Sequence, residues 1–380
     1  MFEWFGRMAF DVGLRDTEAF QRYVRGPAYV LAYGDPERVH ELALKALNDY
    51  KDVLKDAARE FNFPDLHVNL AGRSVMPFGT AAGLDKNCDA VEPLSHIFGF
   101  QEVGTIIVNP REGNKKPRVA VGASGDLWNA QGFPSKGLQY AKEKLRAYGD
   151  SGGDGIILAS ICGVPTESNA LDVAYGETKF LLEELEHLVD GFVWNPFSPN
   201  TEALAALRTS ETFELYAKLV KSYAGTAPAL VKMGPYEPGE KQQWMDLVGS
   251  WMQGGGDGIV AVNTKMVPKE IVPVKDWGYK SAGRSGEFLQ QYRQRAVRDV
   301  RAAYPKATII ATGGIDSAEQ AWNAFEAGAD ALEGYTPYTY KGFGLLLEMA
   351  TGLRKILSIH DYKSLKHLQA ATRINGYVAE

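Results

Sequence analysis

Apolar residues recur at helical spacing from the start of the chain. Phe2, Phe5, Met8 and Val12 share one face, with Glu3, Arg7 and Asp11 between them. Such a face packs on the protein's own body, on a partner, or in a membrane interface. Asp35-Pro36-Glu37 reads as a helix start: a cap, a proline in the first turn, and an acid at the positive dipole end. Val39, Leu42, Leu47, Tyr50, Leu54, Ala57 and Phe61 continue one apolar stripe, and Phe63-Pro64 ends it. Leu66, Val68 and Leu70 then alternate with polar residues up to an Ala71-Gly72 turn, which predicts a small hairpin ending near Met76.

From Pro77 the pattern becomes a repeat of short apolar strand, polar strand end and amphipathic helix. Strand beginnings recur as Gly-Gly-Asp-Gly-Ile-Ile (152–157), Val-Asp-Gly-Phe-Val (189–193), Gly-Gly-Asp-Gly-Ile-Val (255–260) and Ala-Gly-Ala-Asp-Ala-Leu (327–332). Further strands are predicted at 78–82, 101–107, 228–233 and 307–312. Strands alternating with helices in this number favour an α/β fold, a closed (β/α)8 TIM barrel. An open doubly wound sheet usually carries G-x-G-x-x-G after its first strand, and Gly79-Thr80-Ala81-Ala82-Gly83 is not that. Two insertions, 108–135 and 265–285, follow strand ends, the face where a barrel keeps its chemistry. The expected division is a helical extension over 1–62, a barrel over 63–360 with its last helix at 342–358, and a polar tail over 361–380 with room for one more helix.

Composition narrows the classes. Hydrophobic content of 45% and charged content of 23% belong to a soluble globular chain, and a net charge of −6 lacks the basic footprint of a nucleic-acid binder. Cys88 and Cys162 are too few for a disulfide framework or a four-thiolate iron–sulfur site. The six histidines show no metal-ligand spacing, so no metal is expected. No apolar run approaches the roughly 20 residues of a spanning helix, and no signal-peptide pattern opens the chain. A cytoplasmic location is expected.

The residues just past each strand are Lys86, Gly104-Thr105, Ser160, Asn195, Lys232, Asn263-Thr264, Gly313-Gly314 and Tyr335-Thr336. In a barrel they ring one mouth, although loops are polar for solvation alone. Lys232 argues for more, because the period-two pattern of Ala-Leu-Val-Lys-Met-Gly-Pro (229–235) buries it and a buried lysine needs an anionic partner. Gly313-Gly314 precedes a helix start at Ser317, the arrangement of a phosphate site after the seventh and eighth strands. The stretch Asn195-Pro196-Phe197-Ser198-Pro199-Asn200-Thr201 is polar and stiffened by two prolines. It reads as a loop that aims side chains, or as an ordinary strand-to-helix turn. Ser198 has no evident Asp–His partner, so a hydrolase triad is not expected.

Taken together these motifs resemble the dihydroorotate dehydrogenases, FMN-dependent (β/α)8 barrels, and more nearly their class 2 branch. The resemblance covers about residues 35–358. It rests on Ala-Ala-Gly-Leu-Asp-Lys (81–86), Glu-Val-Gly-Thr (102–105), Pro-Arg-Glu-Gly-Asn-Lys-Lys-Pro-Arg (110–118), Asn-Ala-Gln-Gly-Phe (129–133), Ser-Pro-Asn-Thr (198–201), Leu-Val-Lys (230–232), Val-Asn-Thr (262–264), Ser285-Gly286, Thr-Gly-Gly-Ile (312–315) and Tyr335-Thr336, all in family order. It implies oxidation of dihydroorotate to orotate, with Ser198 as the base at C5 and hydride passing from C6 to flavin N5. Thr201 and Phe133 match the residues that build the proton relay and close the site. Lys86, Asn129, Asn195, Asn200, Asn263 and Thr264 match substrate-binding positions. Lys232 matches the lysine at the flavin edge. Ala82, Gly83, Lys86, Gly104, Thr105, Asn129, Ser160, Asn195, Lys232, Ser285, Gly286, Gly313, Gly314, Tyr335 and Thr336 correspond to FMN-binding positions. Residues 35–43 are similar to the class 2 helices that shape quinone access. The resemblance therefore implies a quinone acceptor, and residues 1–30 would rest peripherally on the inner face of the cell membrane.

Three departures keep alternatives open. Pro196-Phe197 replaces a small pair and brings bulk expected to reshape the pocket. Ala-Ser-Ile-Cys-Gly (159–163) lacks the flavin-contacting amide of class 2, leaving Ser160 in its place. Val121 stands where class 2 enzymes usually carry an arginine near the quinone. A second reading is an FMN oxidoreductase for another pyrimidine or a small enone. A third is a catalytically silent binding module, against which Lys86, Ser198, Lys232 and both glycine sites argue.

Overall fold

Short strands buried on both faces dominate the architecture, which is why they read as apolar runs rather than alternating ones. The computed structural model describes residues 2–122, 125–165, 170–198 and 202–374. Among them, eight parallel strands close a barrel. They are β1 (Phe78–Thr80), β2 (Phe100–Ile106), β3 (Ile156–Ile161), β4 (Gly191–Trp194), β5 (Ala229–Met233), β6 (Gly258–Ala261), β7 (Thr308–Thr312) and β8 (Ala331–Gly334). Each pairs with the next in sequence, and β8 closes on β1 with Glu333 opposite Gly79. All eight polar strand ends therefore reach the same mouth. The fold is the (β/α)8 barrel that the alternating pattern predicts, with its last wall helix at Gly344–Ile359 and one further helix at Leu365–Ile374.

Three helices matter for the site. α1 (Phe2–Arg15) and α2 (Pro36–Asp49) belong to the N-terminal extension. Asp35 caps α2, its carboxylate accepting from Glu37 N at 2.9 Å. The extension is not one continuous helix: a π-helical turn at Phe20–Arg25 and a break before Asp35 fold it back over the barrel. Leu14, Leu47, Val53 and Leu54 are buried in the same core as the barrel strands. α3 (Gln290–Ala303) precedes β7. The hairpin pairs Val68–Leu70 with Arg73–Val75.

The two insertions are not loops alone. Val119–Val121, Leu127–Asn129, Lys265–Pro268 and Ser281–Ser285 form a four-stranded antiparallel sheet. Alternation sorts its faces: Trp128 and Ala130 join a small apolar cluster with Val267, Trp277 and Ala282, while Leu127 and Asn129 face the barrel mouth. Buried Arg118 ties this sheet to the extension, pairing with Glu37 at 2.6 Å and donating to Asn114 O at 2.7 Å. Burial alone would raise the Glu37 carboxyl, but Arg118 outweighs it and holds it below its ordinary value.

Candidate active site

A cavity of about 160 Å³ opens where the strand ends converge. Its glycine floor lies between β7 and a helix at Ala318–Glu326, capped by Ser317, whose hydroxyl accepts from Gln320 N. Gly313 and Gly314 both have left-handed backbones, φ +106° and +67°. Arg293, fully buried on α3, donates to Gly313 O at 2.8 Å and to Gln320 Oε1 at 2.8 Å. It fixes the loop's carbonyl side and leaves backbone N–H groups to serve an anion beside a helix N-terminus. Burial pushes its guanidinium down to about 10, still charged at neutral pH. Ser285 joins the inserted sheet to the end of β8, its hydroxyl 2.8 Å from Thr336 Oγ1.

On the next wall the amides form a ladder. Asn263 Nδ2 donates to Asn195 Oδ1 at 3.1 Å, and Asn195 Nδ2 donates to Thr105 Oγ1 at 2.9 Å. Thr264 N donates to Asn263 Oδ1, while Thr264 Oγ1 is buried with no partner among the described residues. Asn129 Nδ2 donates to Gly283 O across the inserted sheet. Ser198, 9% exposed, and Phe133, with φ +56°, line the same cavity. No histidine stands among the lining residues described.

Lys86 is half-buried in the β1 loop and donates to Gly83 O at 2.9 Å. Burial, only partly offset by Glu37, pushes its ammonium down to about 8. On the barrel floor Lys232 is held between Glu102 Oε2 at 2.5 Å and Glu333 Oε1 at 2.9 Å. The period-two expectation of an anionic partner for Lys232 is met by two.

A second, larger cleft of about 430 Å³ lies between the N-terminal helices and the first cavity. Phe10, Leu14, Val39, Ala43, Leu47 and Val121 give it apolar walls. The two cavities share Val119, Leu127, Gln131 and Tyr335. His40 reaches this boundary, its ring edge-on to Tyr335 at 5.7 Å. Burial and Lys86 together push the imidazole down to about 3, so it is neutral.

Most of the predicted site residues meet in the first cavity: Ala82, Gly83, Lys86, Gly104, Thr105, Asn129, Phe133, Asn195, Ser198, Lys232, Asn263, Thr264, Ser285, Gly286, Gly313, Gly314, Tyr335 and Thr336. Asn200 and Thr201 lie outside the described residues. Ser160 does not line the cavity; it is fully buried behind Thr105, the two hydroxyls 3.2 Å apart. Phe197 does not crowd the pocket either, contrary to expectation. Its ring turns outward onto Phe213 and beneath the Arg208 guanidinium, 4.6 Å away. Gly234 makes room, since a Cβ there would sit 2.6 Å from Phe197 Cδ1. The second substrate reading thereby loses its main support. Sequence reasoning missed Glu333, Glu102 as a partner of Lys232, Arg293 and Gln131. Arg293 had a signal, being a charge on the stripe that also carries Ala296, Val297 and Val300.

The geometry has relatives. The family model described as Dihydroorotate dehydrogenase matches residues 66–357. A protein of Anaeromyxobacter dehalogenans named dihydroorotate dehydrogenase (quinone) is 31% identical over 359 residues, 91% of this chain and 96% of its own. One from a Nitratiruptor species with the same name is 30% identical over 338 residues, 86% of this chain and 93% of its own. A crystal structure of DHODH in complex with ferulenol from Eimeria tenella has the same fold, with TM-score 0.74 and 24% identity over 89% of this chain and 94% of that one.

Proposed function

This chain belongs to the dihydroorotate dehydrogenase family, and from that premise we propose that it oxidises dihydroorotate to orotate and passes the electrons to a quinone. One observation carries the reading: Ser198, Lys86, Lys232, the asparagine ladder and the glycine floor line a single cavity at one mouth of the barrel. Placed on separate faces, a hydroxyl, two cations and an anion cradle would serve no common chemistry.

The family is flavin-dependent, and FMN is the flavin we assign. The residues present fit it. A Cβ at Gly83 would meet nothing nearer than the Tyr335 ring at 3.9 Å, so the wall there is open for a planar ring. Gly313 and Gly314 offer N–H groups beside a helix N-terminus for a phosphate. Ala82, Gly83, Gly104, Thr105, Ser285, Gly286, Gly313, Gly314, Tyr335 and Thr336 would hold the cofactor, with Lys86, Asn129, Asn195 and Lys232 around it. Bound there, FMN supplies the hydride acceptor.

The chain's own side chains supply the rest. Ser198 takes the C5 proton of dihydroorotate as the hydride leaves C6. A serine hydroxyl is a weak base, and its near-complete burial provides the shielding such a base requires. Phe133 closes the site, and Thr201 and Asn200 complete the relay and the substrate contacts by resemblance. Asn129, Asn195 and Asn263 present both donors and acceptors to a ring edged with C=O and N–H groups, and Thr264 brings an unused hydroxyl. Lys86 meets the substrate carboxylate.

The apolar cleft beside Tyr335 supports the quinone. Among the described residues no helix is long and apolar enough to cross a membrane. Met8, Val12, Tyr23 and Val30 are exposed on the extension, which supports a peripheral membrane contact through residues 1–30. Purified protein is expected to be yellow, to bleach when dihydroorotate is added without oxygen, and to recover its colour with a long-chain ubiquinone. Recovery is expected to be faster when the quinone is carried in lipid vesicles. Failure of dihydroorotate to bleach the flavin would overturn the activity, and equal recovery with and without vesicles would overturn the membrane contact.

A pH dependence follows from Lys86. Its ammonium is charged below about pH 8 and loses its proton above that. A bound carboxylate favours the charged form and so raises the pKa of Lys86 in the complex. Between the two values, orotate affinity is expected to fall by up to about tenfold per pH unit. Calorimetric titrations of orotate across neutral and alkaline pH check this; a flat affinity, or the same profile in Lys86→Gln, would contradict it.

A further inference from the structure

The barrel floor holds one ammonium and two carboxyls with almost no exposure to water. Lys232 is 6% exposed at its side chain, and Glu102 and Glu333 are fully buried. They come from β5, β2 and β8, so closure of the barrel brings them together. Lys232 and Glu333 reach the cavity lining, while Glu102 stands behind them. If both carboxyls were ionised, one negative charge would remain uncompensated in a dry interior.

The unused oxygens show where relief comes from. Glu102 Oε1 and Glu333 Oε2 are each buried with no partner among the described residues when both groups are taken as carboxylates. Both carboxyls meet on the one Lys232 ammonium, which brings them together in the dry floor, so a proton on one supplies the missing donor. The contacts to Lys232 are unequal. Glu102 is the closer of the two at 2.5 Å and Glu333 the farther at 2.9 Å, so the ammonium sits nearer Glu102, which makes it the stronger ion-pair partner. Tyr338, on the short helix after β8, is a further titratable group acting with Glu333 among the described residues, and its hydroxyl donates to Gly79 O at 3.4 Å. Burial pushes that phenol up, so it stays neutral.

We propose that Glu333 keeps its carboxyl proton at neutral pH and hydrogen-bonds Glu102 through it, leaving Glu102 as the sole counter-charge of Lys232. Glu333 is thus a positioning residue: it keeps the negative charge behind the lysine and presents a neutral acid to the cavity. Burial and the neighbouring Glu102 both raise the Glu333 carboxyl far above its ordinary value, in the direction the geometry requires. Burial would lower Lys232, but the charge of Glu102 and the hydrogen bonds to both carboxyls outweigh it and hold the ammonium charged.

The electrostatic consequence rests on the flavin reading, while the proton itself does not. Infrared spectra of the protein as purified are expected to contain the carbonyl stretch of a protonated carboxylic acid at neutral pH, lost in Glu333→Gln. The midpoint potential of the bound flavin supplies the second readout. Glu333→Gln exchanges a neutral acid for a neutral amide and leaves the reduced-to-oxidised affinity ratio within about twofold. In Glu102→Gln the remaining carboxyl ionises at the cavity wall, and the ratio falls about tenfold, which for two electrons is about 30 mV. No protonated-acid band in the wild type overturns the proposal, as does the reverse pattern, with Glu102→Gln silent and Glu333→Gln raising the potential. A band in protein that takes up no flavin upholds the proton and defeats the flavin reading instead.

Discussion

Replacing Ser198 with alanine is expected to slow flavin reduction by dihydroorotate some 10²–10⁴-fold at neutral pH, the usual worth of a positioned base. FMN content should not change. Ser198 sits on the substrate wall, on the chain just past Asn195, whereas the glycine floor is built by β7, α3 and the inserted sheet. Orotate affinity should change little, because an unactivated hydroxyl adds about one neutral hydrogen bond at most. Anaerobic stopped-flow reduction checks the rate, and a flavin difference titration checks orotate. A Ser198→Cys protein adds a sharper reading. A thiol near its ordinary pKa of about 8.5 gains basic character as it ionises, so the rate should rise toward that pH. Wild-type reduction by Ser198→Ala would show that another group takes the proton, and the cavity's function would need a different base.

The barrel was legible because parallel strands covered on both faces produce apolar runs at regular intervals, punctuated by Gly-Asp-Gly turns such as 254–258. Lys232 was legible for a related reason: one lysine in a strand otherwise fully buried has nowhere polar to go. Its partners were not. Glu102 and Glu333 lie on β2 and β8, each flanked by residues that make a polar strand end plausible, and only ring closure aims them at one point. The inserted sheet was hidden by strand length, since Val119–Val121 and Leu127–Asn129 are too short to show a period. Phe197 misled because its direction is decided from β5, where Gly234 leaves space for the ring; no pattern within 195–201 contains that fact. Ser160 had the right strand end but fell behind Thr105, one layer deeper than a ligand reaches. Apart from the short inserted strands, the deciding contact in each miss spans tens to hundreds of residues, whereas the readings that held were local.

Replacing Gly314 with valine is expected to give a folded protein that purifies with little flavin. The position has φ +67°, where a β-branched residue is a steric outlier. A Cβ there would sit 2.6 Å from Gln290 Cγ, 2.9 Å from Gly286 O and 3.2 Å from Glu287 O. The glutamine side chain can swing away, but the two carbonyls are backbone. Gly286 itself lines the cavity, so relief of the clash moves two parts of the cradle at once. Strain of this kind costs about 1–3 kcal/mol. If most of it is relieved by giving up the cradle geometry, FMN binding weakens about 10²-fold, since each 1.4 kcal/mol is tenfold. Visible absorbance per protein and a titration of FMN into flavin-free protein measure this. Circular dichroism checks that the barrel survives, as it should with the substitution at the mouth rather than in the core. Gly239→Val is the matched control: that glycine is exposed, and a Cβ there meets no atom within 4 Å, so its flavin should remain. Full, tightly held flavin in Gly314→Val would mean that this turn does not grip the phosphate, and the anion site would have to lie elsewhere on the cavity wall.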